Sequence, residues 1–414
     1  MEYGCIGEVL RHSFSKEIHN ALCDYDYILK ELRPDEVSPF MEKRDFKAIN
    51  VTIPYKEKVI PHLYYVDEPA RLIGAVNTVV NRDGRLYGYN TDFYGMSELA
   101  RHAGISFTER KVLILGTGGT SKTAYAVAKH YGAREIVRAS RDGKDGAVLY
   151  TDVYKSHTDA EIIINTTPVG MFPKTQSSPI DLSCFGRLVG VLDAVYNPLS
   201  TELILSARER GIPAEGGLYM LVAQAVRASE IFLDKTYPDG TLDEIYEKIY
   251  KEKENIVLIG MPASGKTTMA RLLGEELKRE IFDSDDAVRE LTGMEIPEIF
   301  SRHGEEYFRE KEALAIGELA KRSGVVIATG GGAILRRENL RELRKNGKIY
   351  FIDRPVSALI PTDDRPLSST KEAILERYNE RYPIYLSVCD FRIDADCEKS
   401  QVLFRILEKF KEKQ

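Results

Sequence analysis

Two glycine loops of different kinds, each directly after an apolar run, constrain this chain more than any other feature: Gly116-Thr117-Gly118-Gly119 and Gly260-Met261-Pro262-Ala263-Ser264-Gly265-Lys266-Thr267. Bare amides between a strand and a helix make an anion site. The first pattern suits a dinucleotide pyrophosphate and the second a nucleoside triphosphate. Hydride and phosphoryl chemistry rarely share a site, so the pair predicts two catalytic units on one polypeptide. A length of 414 residues agrees, because one domain usually holds roughly 100–200.

Composition narrows the setting. With 43% apolar and 29% charged residues the chain reads as globular, and a net charge of −6 argues against broad electrostatic binding of nucleic acid. Five scattered cysteines, with no Cys-x-x-Cys pair and no histidine at metal-ligand spacing, read as reduced thiols. The start, Met1-Glu2-Tyr3-Gly4-Cys5, lacks a secretory pattern, and no apolar run reaches the roughly 18 residues a membrane crossing needs. The expected setting is cytoplasmic, with small molecules as partners and the oligomeric state open.

A strand from Lys111 to Leu115 runs into the first loop, a helix is expected over Ser121 to His130, and Glu135 to Ala139 gives the next strand. Ala160 to Asn165 and Leu188 to Asp193 continue the pattern, each followed by turn residues such as Thr167-Pro168 and Asn197-Pro198. This middle region is expected to form a Rossmann-like parallel sheet. Before about Ser97, strands at Ala48 to Ile53 and Gly74 to Asn81 suggest a second lobe, to which a helix over Gly216 to Leu233 can return. Pro238-Asp239-Gly240 then breaks the chain, while Leu242, Ile245 and Ile249 recur at helical spacing, the mark of a linker with a short amphipathic helix. Strand, loop and helix alternate again from Asn255. The fold class is therefore α/β, a two-lobed unit followed by a P-loop unit with its own parallel sheet.

In the first unit, Gly116, Gly118 and Gly119 can admit a pyrophosphate, or merely let strand and helix pack closely. The next strand ends in Ser140-Arg141-Asp142-Gly143-Lys144, where Ser140, Arg141 and Lys144 suit a ribose 2′-phosphate. NADP(H) is therefore preferred to NAD, with Asp142 the contrary residue and unliganded surface cations the alternative. Polar clusters at His12-Ser13-Phe14-Ser15, Asn50-Val51-Thr52-Ile53-Pro54-Tyr55-Lys56, Ala75-Val76-Asn77-Thr78 and Gly88-Tyr89-Asn90-Thr91-Asp92 can reach a polyhydroxylated acid. With Asn165-Thr166-Thr167-Pro168-Val169-Gly170-Met171, Asp193-Ala194-Val195-Tyr196-Asn197-Pro198 and the segment Gly216 to Gln224, these clusters resemble shikimate dehydrogenase over residues 1 to 235. The resemblance implies NADPH-dependent reduction of the ketone of 3-dehydroshikimate, with Lys56 and Asp92 as the catalytic pair. It assigns Ser13, Ser15, Asn50, Thr52, Asn77, Tyr219 and Gln224 to shikimate; Asn50 and Asn77 can also be turn residues. An ammonium beside the carbonyl oxygen is what this chemistry needs, since it stabilises developing charge and can supply the proton. The loop helix departs from a common family pattern at Thr120-Ser121-Lys122-Thr123.

The second loop is a full Gly-x-x-x-x-Gly-Lys-Thr. Gly260, Ser264, Gly265 and Thr268 cradle phosphates, Lys266 neutralises them and Thr267 can ligate magnesium. Asp283-Ser284-Asp285 falls at the next strand end, where one carboxylate can serve the metal shell and the other a hydroxyl nucleophile; a helix cap is the other reading. With the segment Gly304 to Glu312, Thr329-Gly330-Gly331-Gly332, Arg365-Pro366-Leu367 and Arg381-Tyr382-Pro383-Ile384-Tyr385, this unit resembles shikimate kinase over residues 255 to 414. The resemblance implies ATP and Mg2+ as cofactors, Lys266 and Asp285 in catalysis, and Asp283 behind the metal. It places shikimate on Asp285, Arg309, Gly331 and Arg381, and Arg365 on a lid near ATP. The stretch from Arg354 to Asp364 looks short for that lid and lacks the usual basic residue after Leu359.

The two resemblances divide the chain into a shikimate-binding lobe (1–96 plus 218–235), an NADP-binding domain (97–217), a linker (236–254) and a kinase domain (255–414). They also explain each other, because the hydroxyl made by reduction is the one a shikimate kinase phosphorylates. The expected function is a bifunctional enzyme of aromatic amino-acid precursor synthesis. One alternative is an NAD-linked quinate or shikimate dehydrogenase fused to a related kinase, separable by cofactor preference and activity on quinate. Another is a non-catalytic ligand sensor, against which Lys56, Asp92, Lys266, Asp283 and Asp285 weigh.

Overall fold

Alternating apolar runs become the strands of three sheets in the computed structural model, which describes residues 1–10, 14–359 and 370–412. The chain divides into two units, Met1–Ile249 and Tyr250–Gln414. The division falls within 236–254, inside a helix over Thr241–Lys253.

The first unit holds two sheets. Strands β1 (Tyr3–Gly7), β2 (Tyr27–Glu31), β3 (Ala48–Val51), β4 (Tyr65–Val66), β5 (Thr78–Arg82) and β6 (Arg85–Tyr89) form a mixed sheet in the order β2-β1-β3-β5-β6-β4. β3 and β5 run antiparallel and set Asn50 opposite Thr78. Where a strand from Gly74 was expected, Gly74 instead ends a helix in the left-handed region at φ 72°, and β5 starts only at Thr78. That delay leaves Asn77 at the strand's entrance rather than within its ladder.

The other sheet comprises β7 (Lys111–Leu115), β8 (Glu135–Ser140), β9 (Val148–Leu149), β10 (Ile162–Asn165), β11 (Gly190–Asp193) and β12 (Ala214–Glu215), ordered β12-β11-β10-β7-β8-β9. Every pairing is parallel. The chain leaves β7 toward β8 on one side and returns to β10 on the other, so strand order reverses between β7 and β10. Ligands of open parallel sheets bind at the carboxyl ends of strands at such a point, here Gly116 and Thr166.

The second unit has one five-stranded parallel sheet, β13 (Asn255–Ile259), β14 (Ile281–Asp283), β15 (Val326–Ala328), β16 (Gly347–Asp353) and β17 (Phe391–Asp394), ordered β14-β15-β13-β16-β17. Val257, Ile259, Ile327, Ile349 and Phe351 fill the core on one face; Ile256, Leu258, Val326, Tyr350 and Ile352 fill the other. Burial on both faces explains why these strands read as continuous apolar runs. No described helix is long and apolar enough to cross a membrane.

Candidate active sites

In the first unit, the ends of β3, β5 and β6 bring together residues far apart in sequence. Lys56 Nζ donates to Asp92 Oδ2 at 2.5 Å, and Asn77 Nδ2 donates to Asp92 Oδ1 at 2.9 Å. The lysine side chain keeps 19% exposure against 6% for the aspartate, so the ammonium is the member of the pair that solvent or a substrate can reach. Gln224 Oε1 accepts from Asn77 at 3.4 Å, bringing the helix Leu218–Leu233 to the same point. Asn50 donates to Thr78 Oγ1 at 3.2 Å. Thr52 is half-buried directly after β3, and its methyl would collide with a Cβ on Gly7. Ser15 opens the helix Ser15–Leu22. Ser13 lies outside the described residues.

Tyr219 does not join this group, which corrects its expected place on the substrate. Its ring is fully buried and stacked on His102 at 3.8 Å, and its hydroxyl donates to Asp243 at 2.6 Å. The tyrosine therefore holds Asp243, in the first turn of the helix that starts at Thr241, within the first unit. Tyr246 of that helix packs edge-on to the same ring.

The glycine loop separates into two roles. Gly116 sits at φ 114°, and a Cβ there would lie 2.7 Å from Thr166 Oγ1, so packing alone demands glycine. A Cβ on Gly118 or Gly119 would meet no described atom within 4 Å. Internal packing therefore does not demand glycine at either position, and both stand at the start of the helix Gly119–His130. Lys122, in the segment that departs from the family pattern, pairs with Glu57 at 2.7 Å and so ties this helix to the segment of Lys56. At the end of β8, Ser140 donates to Asp142 at 3.0 Å and Lys144 pairs with it at 3.2 Å. The Ser140 hydrogen bond, with Lys144, holds the Asp142 carboxyl below its ordinary range. Arg141 and Lys144 are exposed.

In the second unit the phosphate loop, Asp285, Arg309, Gly330 to Gly332 and Arg381 line one cavity of about 950 Å³. Lys266 Nζ donates to the carbonyls of Gly260 and Met261 at 3.0 and 2.9 Å. Gly260 lies at φ 150°, with Gly265 at φ 96° capping the helix Lys266–Leu277. Ser264 Oγ is buried and has no hydrogen-bond partner among the described residues. Thr267 Oγ1 donates to Asp283 Oδ2 at 2.9 Å, while Asp283 Oδ1 accepts from the Asp285 amide at 2.9 Å. Asp283 thus caps the helix Ser284–Thr292, and the cap holds Asp285 in place. Thr268 lines the same wall.

Each glycine of the triplet faces a different functional group. A Cβ would come within 2.7 Å of Asp285 Oδ1 from Gly330 and 2.7 Å of Pro262 Cδ from Gly331, and would overlap the Arg309 guanidinium from Gly332. Arg309 Nη1 donates to Glu312 Oε2 at 2.7 Å. Burial alone would pull Arg309 down, but Glu312 holds it above its ordinary value; at Glu312 burial prevails and pushes the carboxyl up. Arg381 is buried and lowered by desolvation. Its Nε, like Glu312 Oε1, has no hydrogen-bond partner among the described residues. Buried polar groups left unpaired are costly, so this end of the cavity suits a ligand that both accepts and donates. Arg365, and the lid from Ile360 onward, lie outside the described residues.

The family model for the shikimate dehydrogenase substrate binding domain matches residues 5–79. Shikimate dehydrogenase (NADP(+)) of Clostridium perfringens strain 13 is 36% identical over 264 residues, covering 60% of this chain and 97% of its own length. The chain belongs to the shikimate dehydrogenase family. Its fold matches shikimate dehydrogenase 1 from Peptoclostridium difficile with a TM-score of 0.56 at 33% identity, over 60% of this chain and 98% of that one. Shikimate 5-dehydrogenase from Thermus thermophilus, in complex with NADP(H) and shikimate, matches with a TM-score of 0.54 at 25% identity, over 60% and 99%. The family model for shikimate kinase matches residues 262–411, so the dehydrogenase continues into a kinase domain.

Two groups in these domains escape sequence reading. Glu312 sits three residues after Arg309, a spacing that shares a helix face and could have flagged the pair. Asp193, at the end of β11, accepts from Asn165 at 2.9 Å, Thr201 at 2.6 Å and the Val195 amide at 3.0 Å. Burial pushes its carboxyl up to about 7 from 3.8. Between those values the folded chain holds a proton that the unfolded chain has lost. This stabilisation is complete below the unfolded value and is lost as pH rises through the folded one, at up to about 1.4 kcal/mol per pH unit. Asp193→Asn is therefore expected to flatten the fall in dehydrogenase-unit stability between about pH 5 and about pH 7. Urea unfolding at both values checks this; an unchanged slope would count against the buried proton.

In the kinase domain, Gly332→Ala displaces the Arg309 guanidinium. The expected result is a rise of about tenfold in KM for shikimate, the scale of one charge-assisted hydrogen bond, with KM for ATP little changed. Steady-state kinetics with each substrate varied in turn would expose the error if ATP affinity fell instead.

Proposed function

We propose that this chain performs two consecutive reactions at one carbon: NADPH-dependent reduction of 3-dehydroshikimate to shikimate, then transfer of the ATP γ-phosphoryl group to the new 3-hydroxyl. One observation carries the proposal. A dehydrogenase of the shikimate family and a shikimate kinase domain occupy a single polypeptide, each with a converging set of polar side chains.

For the first reaction, NADPH supplies the hydride when bound. The amides of Gly118 and Gly119 would hold its pyrophosphate, and Ser140, Arg141 and Lys144 its 2′-phosphate. Lys56 carries a proton beside the carbonyl oxygen, stabilises the negative charge that hydride addition places there, and donates the proton to it. Asp92 orients that ammonium, while Asn77, Gln224, Asn50, Thr52 and the serines Ser13 and Ser15 bind the hydroxyls and carboxylate. For the second reaction, Arg309 and Arg381 take the carboxylate through planar paired donors. Gly331 lets the ring approach the backbone. Asp285 accepts the hydroxyl proton as the oxygen attacks phosphorus. Gly260, Ser264, Gly265 and Thr268 surround the phosphates, with Lys266 offsetting their charge. Magnesium would be held through Thr267 Oγ1, with Asp283 behind it, and neutralises phosphate charge when bound; by the family likeness Arg365 belongs with the nucleotide.

The test is product mass spectrometry on the purified chain with 3-dehydroshikimate and NADPH, with and without Mg-ATP. Shikimate alone without ATP and shikimate 3-phosphate with it are expected. Shikimate in both samples would reject the kinase half, and no product in either would revive a sensor.

A further inference from the structure

Behind the reductase site, a buried aromatic pair stands at the head of a hydrogen-bond series that ends on Asp92. His19 and Tyr27 are each 1% exposed, and their rings stack 3.9 Å apart at 8°. Burial drives the His19 imidazole down to about 3, so it stays neutral and brings no charge to the site. Its Nδ1 lies 2.6 Å from Tyr25 Oη.

From Tyr27 every bond points the same way. Tyr27 Oη donates to Asn50 Oδ1 at 2.7 Å, and Asn50 Nδ2 donates to Thr78 Oγ1 at 3.2 Å. Thr78 donates to Asn77 Oδ1 at 3.0 Å, and Asn77 Nδ2 donates to Asp92 Oδ1 at 2.9 Å. Lys56 meets the other carboxylate oxygen. An amide presents an acceptor on one side and donors on the other; the Tyr27 donor and the Asn77 carbonyl, to which Asn50 Nδ2 also donates at 3.3 Å, agree on the Asn50 orientation, while the Thr91 amide, donating to Asn77 Oδ1 at 2.8 Å, turns Asn77 the same way as Thr78 does. Tyrosine can supply that donor only through its phenol, and the stacked imidazole holds the ring in position.

We infer that Tyr27 is a positioning residue for ketone reduction. Its hydroxyl holds the Asn50 amide in place, and Asn50 is joined through Thr78 and Asn77 to the carboxylate that holds Lys56. This inference rests on the proposed role of Asn50, Asn77 and Asp92 at the substrate. It goes further by assigning work to a side chain that touches neither substrate nor the reacting atoms.

Tyr27→Phe keeps the stack on His19 and deletes only the donor. In the full-length chain it is expected to raise KM for 3-dehydroshikimate about tenfold, as loss of one buried hydrogen bond would. KM for NADPH and the rate of shikimate phosphorylation should stay at wild-type values. Thr78→Val interrupts the relay downstream and should give the same selective rise. Neither change should add to Asn50→Ala, because all three break one series. Wild-type KM in both Tyr27→Phe and Thr78→Val, with Asn50→Ala impaired, overturns the inference alone. So does full additivity of Tyr27→Phe with Asn50→Ala. A wild-type KM in Asn50→Ala overturns both the inference and the substrate role on which it rests.

Discussion

Lys56→Ala is expected to lower kcat for ketone reduction by about 10²–10⁴-fold, the usual share of a positioned proton donor, while the same preparation phosphorylates supplied shikimate at its normal rate. The reason is geometric. Lys56 is bonded to Asp92 at 2.5 Å and still partly exposed, so it can meet a carbonyl oxygen without leaving its partner. In the proposed mechanism its removal takes away both the proton and the charge that stabilises the developing alkoxide, and it leaves the Asp92 carboxylate with Asn77 as its side-chain donor. Substrate binding through the other hydroxyl contacts should persist, so kcat should fall more than KM rises. Parallel assays of both reactions on one sample decide the matter. Equal loss of both activities would remove the division of labour between the units.

Lys266→Ala is expected to give the opposite pattern, with phosphorylation down by about 10²–10³-fold, the cost of losing one preorganised charge at a site of developing charge, and reduction intact. Lys266 lies buried under the loop, bonded to the carbonyls of Gly260 and Met261, so it is already held where phosphate oxygens would meet it. Its removal should also unsettle the loop, because those two carbonyls lose a shared donor. A rate of ATP-dependent phosphorylation equal to wild type would rule out its assigned role.

Both glycine loops are legible in the sequence because their chemistry is local: a strand, a bare turn and a helix start lie within about ten residues. The central strands are legible for a related reason, since burial on both faces leaves an uninterrupted apolar run. Boundaries are less so. Ala160 and Leu188 look like strand residues, yet β10 begins at Ile162 and β11 at Gly190. Long-range convergence leaves no local trace. Nothing near Asp193 announces that Asn165 and Thr201 will surround it, because the three meet only when β10 and β11 pair. Tyr219 shows the converse error: it lies in the same family segment as Gln224, but stacking on His102 and a bond to Asp243 decide where it points. In the helix Thr241–Lys253, Ile249 is buried as its spacing predicts, but its buried companion is Tyr246 rather than Leu242, because an aromatic surface waits there in Tyr219 and His102.

On the proposed function, one carbon receives hydride in the first reaction and carries the phosphate ester after the second. The most direct measurement is 31P NMR of the product made from 3-dehydroshikimate, Mg-ATP and NADPH dideuterated at the nicotinamide C4. With ordinary NADPH the ester phosphorus is split by the proton on its own carbon. With the deuterated cofactor that doublet should collapse, because the transferred deuteride sits on the carbon bearing the phosphate. A doublet that persists would put the phosphate on a carbon the reductase never touched and contradict the coupling of the two reactions.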